Sequence, residues 1–197
     1  MTPFTSLTSI AAPLLRDNID TDTIIPSREM RSTGKTGLAA GLFAPWRYLD
    51  ADARVPDPDF VLNRPEYAKA RILLGGANFG CGSSREHAVW ALSEWGIGAI
   101  IAESFAPIFE TNCVRNGLLP VRLPRPAVDM LAGRIVTVDL AAQTVDEHRF
   151  DIGAEAKEMM LQGLDAIDLT LQHAAAIAAW HARDRVNRPY VYLESGA

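Results

Sequence analysis

Arg71-Ile72-Leu73-Leu74-Gly75-Gly76-Ala77-Asn78-Phe79-Gly80-Cys81-Gly82-Ser83-Ser84-Arg85-Glu86-His87 passes from an unbroken apolar run, through a glycine-bearing loop, into a polar segment. A short apolar run bounded by glycine reads as a buried strand, and the charged residues after the loop open a helix from about Ser84 to Trp95. Toward the C-terminus, Gly98 to Ala102 reads as a second apolar strand and Phe105 to Asn116 as a helix. Leu118 to Leu123 reads as a third strand, stopped by Pro124. Strand, helix, strand, helix, strand in this order predicts an α/β fold whose parallel strands are joined by right-handed crossovers.

The flanks read differently. Arg134 to Val138 and the segment from Val145 to Phe150 predict a hairpin, while Glu155 to Gln162 and Leu171 to Arg183 predict two helices. In the loop-rich N-terminal third, Pro26, Gly34, Gly37, Gly41, Pro45, Pro56, Pro58 and Pro65 interrupt any regular element. So long an irregular stretch in a compact fold is usually functional. No repeat or linker divides the chain, and 197 residues at 48% hydrophobic content suffice for one core, so a single domain over residues 1–197 is expected.

Composition excludes several classes. With 19 Lys+Arg against 24 Asp+Glu and a net charge of -5, no basic run is present to track a phosphate backbone, which argues against nucleic acid as a partner. Met1 to Pro13 lacks the basic start and apolar stretch of a signal peptide, and no run approaches the roughly 18 apolar residues of a membrane span, so a cytoplasmic protein with no membrane partner is expected. Cys81 and Cys113 are too few thiols to hold an iron-sulfur cluster or a structural zinc, so no metal is assigned to this chain and any cluster belongs elsewhere. In a reducing compartment the two are expected as free thiols, buried or lining a site.

The loop between strand and helix carries the chemistry. Gly80 and Gly82 allow a tight turn and close approach to a ligand, and a helix start offers unpaired N–H groups at the positive end of its dipole. Arg85 adds a planar fork suited to a carboxylate, and the hydroxyls of Ser83 and Ser84 can serve the same ligand. The set reads as a carboxylate receptor with a candidate base. The plainer reading is that Ser83 and Glu86, three residues apart, form a capping box. A Walker loop, a dinucleotide fingerprint and a Gly-x-Ser-x-Gly elbow are all absent, and His87 reads as a structural helix residue. A second cluster, Asn18-Ile19-Asp20-Thr21-Asp22-Thr23, sets two carboxylates two residues apart, which alone is a turn motif lacking the glycine and distal Glu of a calcium loop. The polar stretch from Ser27 to Gly37, which includes Lys35, reads either as a solvated loop or as a substrate-sensing lid.

Gly80-Cys81-Gly82-Ser83-Ser84-Arg85-Glu86-His87 together with Asn18-Ile19-Asp20-Thr21-Asp22 resembles the paired signatures of the 3-isopropylmalate dehydratase small subunits, counterparts of the swivel domain of aconitase. The similarity continues through Trp46-Arg47-Tyr48-Leu49-Asp50, Ser104-Phe105-Ala106, Asn116-Gly117-Leu118-Leu119-Pro120 and Gly163-Leu164-Asp165, in the family's order. The resemblance implies a swivelling β/β/α domain, as at the C-terminus of aconitase. It implies that Ser83 is an alkoxide base taking a proton from the substrate carbon, that Ser84 and Arg85 hold a substrate carboxylate, and that Asp22 orients the site. Asp20 is then structural, and Lys35 matches the family's basic position before Thr-Gly. It further implies a small dicarboxylate substrate, a large-subunit partner bearing a 4Fe-4S cluster, and an active site formed where the two subunits meet, serving a step of leucine biosynthesis. Ser27-Arg28-Glu29-Met30 departs from the Lys-Gln-Phe-Leu-like start common in the family, and Ala156-Lys157-Glu158-Met159 from its basic Arg-Arg-His run before Gly-Leu-Asp, which keeps open a sister hydro-lyase acting on citramalate or a methylated malate. A carboxylate-binding module without catalysis is the alternative from a different class.

Overall fold

The strand that organises the sheet is one whose sequence does not advertise it. The structure, a computed structural model, describes residues 1–30, 34–83 and 85–192. β1 (Ser6–Pro13) pairs in two directions: Ala11 to Pro13 run parallel to Ile72 to Leu74, while Ser6 to Ile10 run antiparallel to Ile135 to Asp139. One strand thus joins a parallel half of the sheet to an antiparallel half.

After β1 come two single-turn helices, α1 (Thr21–Ile24) and α2 (Ala44–Arg47), and a small ribbon of β2 (Tyr48–Asp50) and β3 (Val55–Pro56). β4 (Ile72–Leu74), α3 (Glu86–Trp95), β5 (Ala99–Ala102), α4 (Pro107–Arg115) and β6 (Leu119–Arg122) then alternate as the sequence predicts. α5 (Arg125–Met130) leads to the strands β7 (Ile135–Asp139), β8 (Thr144–Val145) and β9 (His148–Arg149), and α6 (Ala154–Gln162), α7 (Ala166–Leu171) and α8 (Ala174–Asn187) follow. Among the described residues seven strands form one sheet in the order β6-β5-β4-β1-β7-β8-β9. The expected hairpin is a three-strand meander, α5 was not foreseen, and the long C-terminal helix is broken between Leu171 and Ala174.

The parallel strands are covered on both faces, which is why they read as unbroken apolar runs. Alternation along each strand sorts its residues. Leu73 and Ile100 pack toward α3 and α4, with Ala88, Leu92, Phe109 and Cys113. Ile72, Leu74, Ala99 and Ile101 pack on the opposite face, with Val128, Leu131, Val136, Val138 and Met160.

The N-terminal third is irregular in backbone and yet solidly packed. Ile19, Ile24, Ile25, Leu38, Leu42 and Phe43 are essentially inaccessible and close the α3 side of the core. Buried Arg47 secures this layer: its guanidinium donates to the carbonyls of Ala39 and Ala40, both at 2.8 Å, and lies 4.6 Å from the Trp95 ring centroid. Among the described residues no helix is long and apolar enough to cross a membrane.

Candidate active site

Two loops run side by side at the carboxyl end of β4. The Gly80 N–H donates to the Ile19 carbonyl (2.7 Å), the Thr21 N–H to the Cys81 carbonyl (2.9 Å), and Asp20 and Cys81 form a parallel bridge. The Asn78 side-chain amide donates to Asn18 Oδ1 at 2.9 Å. Gly80 has φ +77, and a Cβ there would lie 2.1 Å from the Phe109 ring, so the turn requires glycine twice over. The two motifs separated by some sixty residues in sequence therefore form one wall.

Asp20 is the N-cap of α1, accepting from the Thr23 N–H at 2.6 Å. This leaves Asp22, one residue into the turn, to face outward and pair with the Arg85 guanidinium across the gap between the loops. With the Asp22 side chain 55% exposed and Arg85 25%, this pair adds little stability, and its consequence is orientation.

The helix does not begin where the sequence suggests. Arg85 is the N-cap of α3, with no side-chain cap, and Glu86 turns away to accept from the Asn116 side chain at 2.8 Å. The Ser83–Glu86 capping box is therefore not formed. Ser83 is exposed, and its carbonyl accepts from the Arg85 N–H (2.8 Å) and from Thr21 Oγ1 (2.9 Å). Ser84 lies outside the described residues.

Lys35 lies over the Trp90 side of α3. Its ammonium donates to Asn116 Oδ1 at 3.3 Å and sits 5.1 Å from the Trp90 ring centroid. Since Asn116 also binds Glu86, the neighbour of Arg85, one chain of contacts connects Lys35 to the start of the helix. Asn116 was noted in the sequence only as part of a motif, and its role becomes visible in its partners.

At the start of the stretch from Ser27 to Gly37 the Glu29 side chain turns inward, 8% exposed and bonded to Arg54 at 2.5 Å, and Met30 packs on the core.

The profile of the aconitase C-terminal domain family matches residues 1–126. The chain is 55% identical to a 3-isopropylmalate dehydratase small subunit of Cupriavidus necator over 98% of this chain and 100% of that one. The chain belongs to the 3-isopropylmalate dehydratase small subunits. A second such small subunit, from Delftia acidovorans, is 46% identical over 97% of both chains. A crystal structure of 3-isopropylmalate dehydratase from Methanocaldococcus jannaschii superposes with a TM-score of 0.64 at 27% identity, covering 88% of this chain and 98% of that one. The mixed α/β architecture is thus that of the aconitase C-terminal domain, and the enzyme class of these small subunits is hydro-lyase.

For a 3-isopropylmalate dehydratase small subunit, the supply of metal donors here is poor. Both cysteines are free: Cys113 is fully buried, and burial pushes its thiol well above the usual range. Cys81 is half-buried, its thiol raised by desolvation first and the Asp20 charge second. Among the described residues no three His, Cys, Asp or Glu side chains gather to hold a metal ion. Ser83 and Arg85 stand at this wall beside the start of α3, and Lys35 is linked to them through Asn116 and Glu86.

Proposed function

We propose that this chain acts as the small subunit of a cytosolic 3-isopropylmalate dehydratase, which removes water from 2-isopropylmalate and returns it at the neighbouring carbon to give 3-isopropylmalate. The observation that carries the reading is Ser83: exposed, held through its carbonyl, and free of the cap that its sequence context suggested. As alkoxide it takes the proton from the substrate carbon while the hydroxyl departs from the adjacent one, leaving an alkene and a neutral serine. On return the hydroxide adds to the carbon that lost the proton while the serine gives its proton to the carbon that lost the hydroxyl, which restores the alkoxide. The nearby Arg85 guanidinium and the start of α3 favour the ionised serine.

Arg85, oriented by Asp22, and Ser84 hold a substrate carboxylate, and Lys35 holds the other end of the dicarboxylate. The large subunit's 4Fe-4S cluster would supply the Lewis acid for the leaving hydroxyl. The inward turn of Glu29 weakens one of the two grounds for a different side-group preference, and the 55% identity to a 3-isopropylmalate dehydratase small subunit favours isopropylmalate over citramalate.

The test is Ser83→Ala in the reconstituted large–small complex, assayed by hydration of the alkene intermediate. Turnover should fall by about a hundredfold or more, with the melting temperature and subunit binding close to wild type, because general-base groups contribute roughly 10²–10⁴. Near-wild-type turnover would remove Ser83 from the mechanism. The isolated chain should be inactive.

A further inference from the structure

Asn116, which follows the last turn of α4, uses its whole side-chain amide on other groups. Its Oδ1 accepts from Lys35 Nζ (3.3 Å) and Trp90 Nε1 (3.0 Å), and its Nδ2 donates to Glu86 Oε1 (2.8 Å) and the Asn112 carbonyl (2.9 Å). A primary amide has two N–H donors and two oxygen lone pairs, so all four are used. The partners also fix which way the amide faces. Lysine ammonium and indole N–H only donate, and the carboxylate and carbonyl only accept, so a flipped amide would lose all four bonds. Glu86 and Trp90 lie one turn apart on the same stripe of α3, and the Lys35 ammonium rests over the Trp90 ring.

We propose that Asn116 is a positioning residue for the dehydratase reaction: it holds the Lys35 ammonium beside the first turn of α3, ready for a substrate carboxylate. The inference rests on Lys35 binding substrate. A lysine on its four-carbon stem loses much rotamer freedom on binding, and a pre-placed acceptor removes part of that loss before substrate arrives. The bonds to Glu86 and Asn112 would by themselves serve to pack α3 against α4. The bond to Lys35 is the one that reaches the substrate loop.

A double-mutant cycle in the reconstituted complex reads that bond. Asn116→Ala should raise KM for isopropylmalate about tenfold with kcat within about twofold, since it weakens a contact made equally in ground and transition states. Lys35→Ala should raise KM at least as much, and the double variant no further than Lys35→Ala alone. Asn116→Asp, made together with Glu86→Gln so that the new carboxylate meets an amide donor and not a second carboxylate, keeps an acceptor for Lys35 and should return KM toward wild type. It also carries the comparison if Asn116→Ala does not fold. Additive effects, a fall in kcat at constant KM, or an Asn116→Asp and Glu86→Gln combination as impaired as Asn116→Ala would overturn the proposal in favour of a packing role. A wild-type KM in Lys35→Ala would overturn it at its root, and if Ser83→Ala still abolishes turnover in the same preparation the hydro-lyase reading survives that loss.

Discussion

A buried threonine holds the backbone at Ser83. Thr21 is 1% exposed, and its Oγ1 bridges the two loops by donating to the Ser83 carbonyl. Thr21→Val keeps the shape and deletes the donor, which should cost about 1 kcal/mol of stability. Because a small misplacement of a reacting group is expensive, kcat in the complex should fall about tenfold, more than the few-degree drop in melting temperature would suggest. An unchanged kcat would show that this hydroxyl does not set the serine. Ser83, Arg85 and Asp22 stood out in the sequence because unusual residue types crowd a strand-to-helix loop. Thr21 and Asn116 did not, because what distinguishes them is their partners: Thr21 meets Ser83 62 positions away, and Asn116 meets Lys35 81 positions away.

Helix α3 links the site's parts at the level of elements. Its N-terminus carries Arg85, and Glu86, Trp90 and Glu94, spaced four apart, face the Lys35 loop. At the far end of that stripe the Glu94 carboxylate accepts from the backbone N–H groups of Gly37 (2.6 Å), Leu38 (2.5 Å) and Ala39 (2.7 Å). The hydrogen bond from Gly37, followed by those from Ala39 and Leu38, outweighs desolvation and holds this carboxyl below its ordinary range. The folded-state pKa is therefore the lower one, and the clamp is fully present above the unfolded carboxyl range near about 4.3 and lost as pH falls through the folded value. Hydrogen exchange at the Gly37, Leu38 and Ala39 amides should be slow at neutral pH and accelerate as the solution is acidified below about pH 4, after correction for intrinsic rates. In Glu94→Ala exchange should be fast at every pH. Protection that persists in Glu94→Ala would mean that something else holds the loop. The strands flanking α3 were legible because burial on both faces makes them continuous in apolar residues. β1 was not: the adjacent Thr8 and Ser9 break the alternation between Leu7 and Ile10, two small alanines follow and Pro13 ends the run, so the segment does not stand out although both its edges are paired.

Taken whole, the molecule has a body and an arm. Both apolar clusters, one on each face of the sheet, are complete by Leu161, and β1 contributes to both through Ala12 on one side and Leu7 and Ala11 on the other. Beyond Gly163, whose carbonyl receives the N-terminal amino group at 2.7 Å, α7 and α8 add no described residue to either cluster. Ile167, Leu171, Trp180 and Val186 are exposed, and Asp184, the residue shielded within α8, is covered by its own neighbours Arg188 and Tyr192 at 2.7 and 2.6 Å. A 14-residue helix without packing is marginal by itself in water, and the exposed bond from Gln172 Nε2 to Gln162 Oε1 (3.1 Å) that ties the arm to α6 adds little, so the arm contributes little to the stability of the body. A chain ending at Asp165 should accordingly keep its melting temperature within about 2 °C, less than the shift that 1 kcal/mol produces in a protein of this size, and lose only the arm's contribution to the helical circular dichroism signal. The cut spares the Met1–Gly163 bond and the bond from the Leu164 N–H to the Met159 carbonyl, which closes α6. A fall of more than about 5 °C, or a broadened transition, would show that the arm packs on the body in solution and that the two faces of the sheet do not carry the fold by themselves.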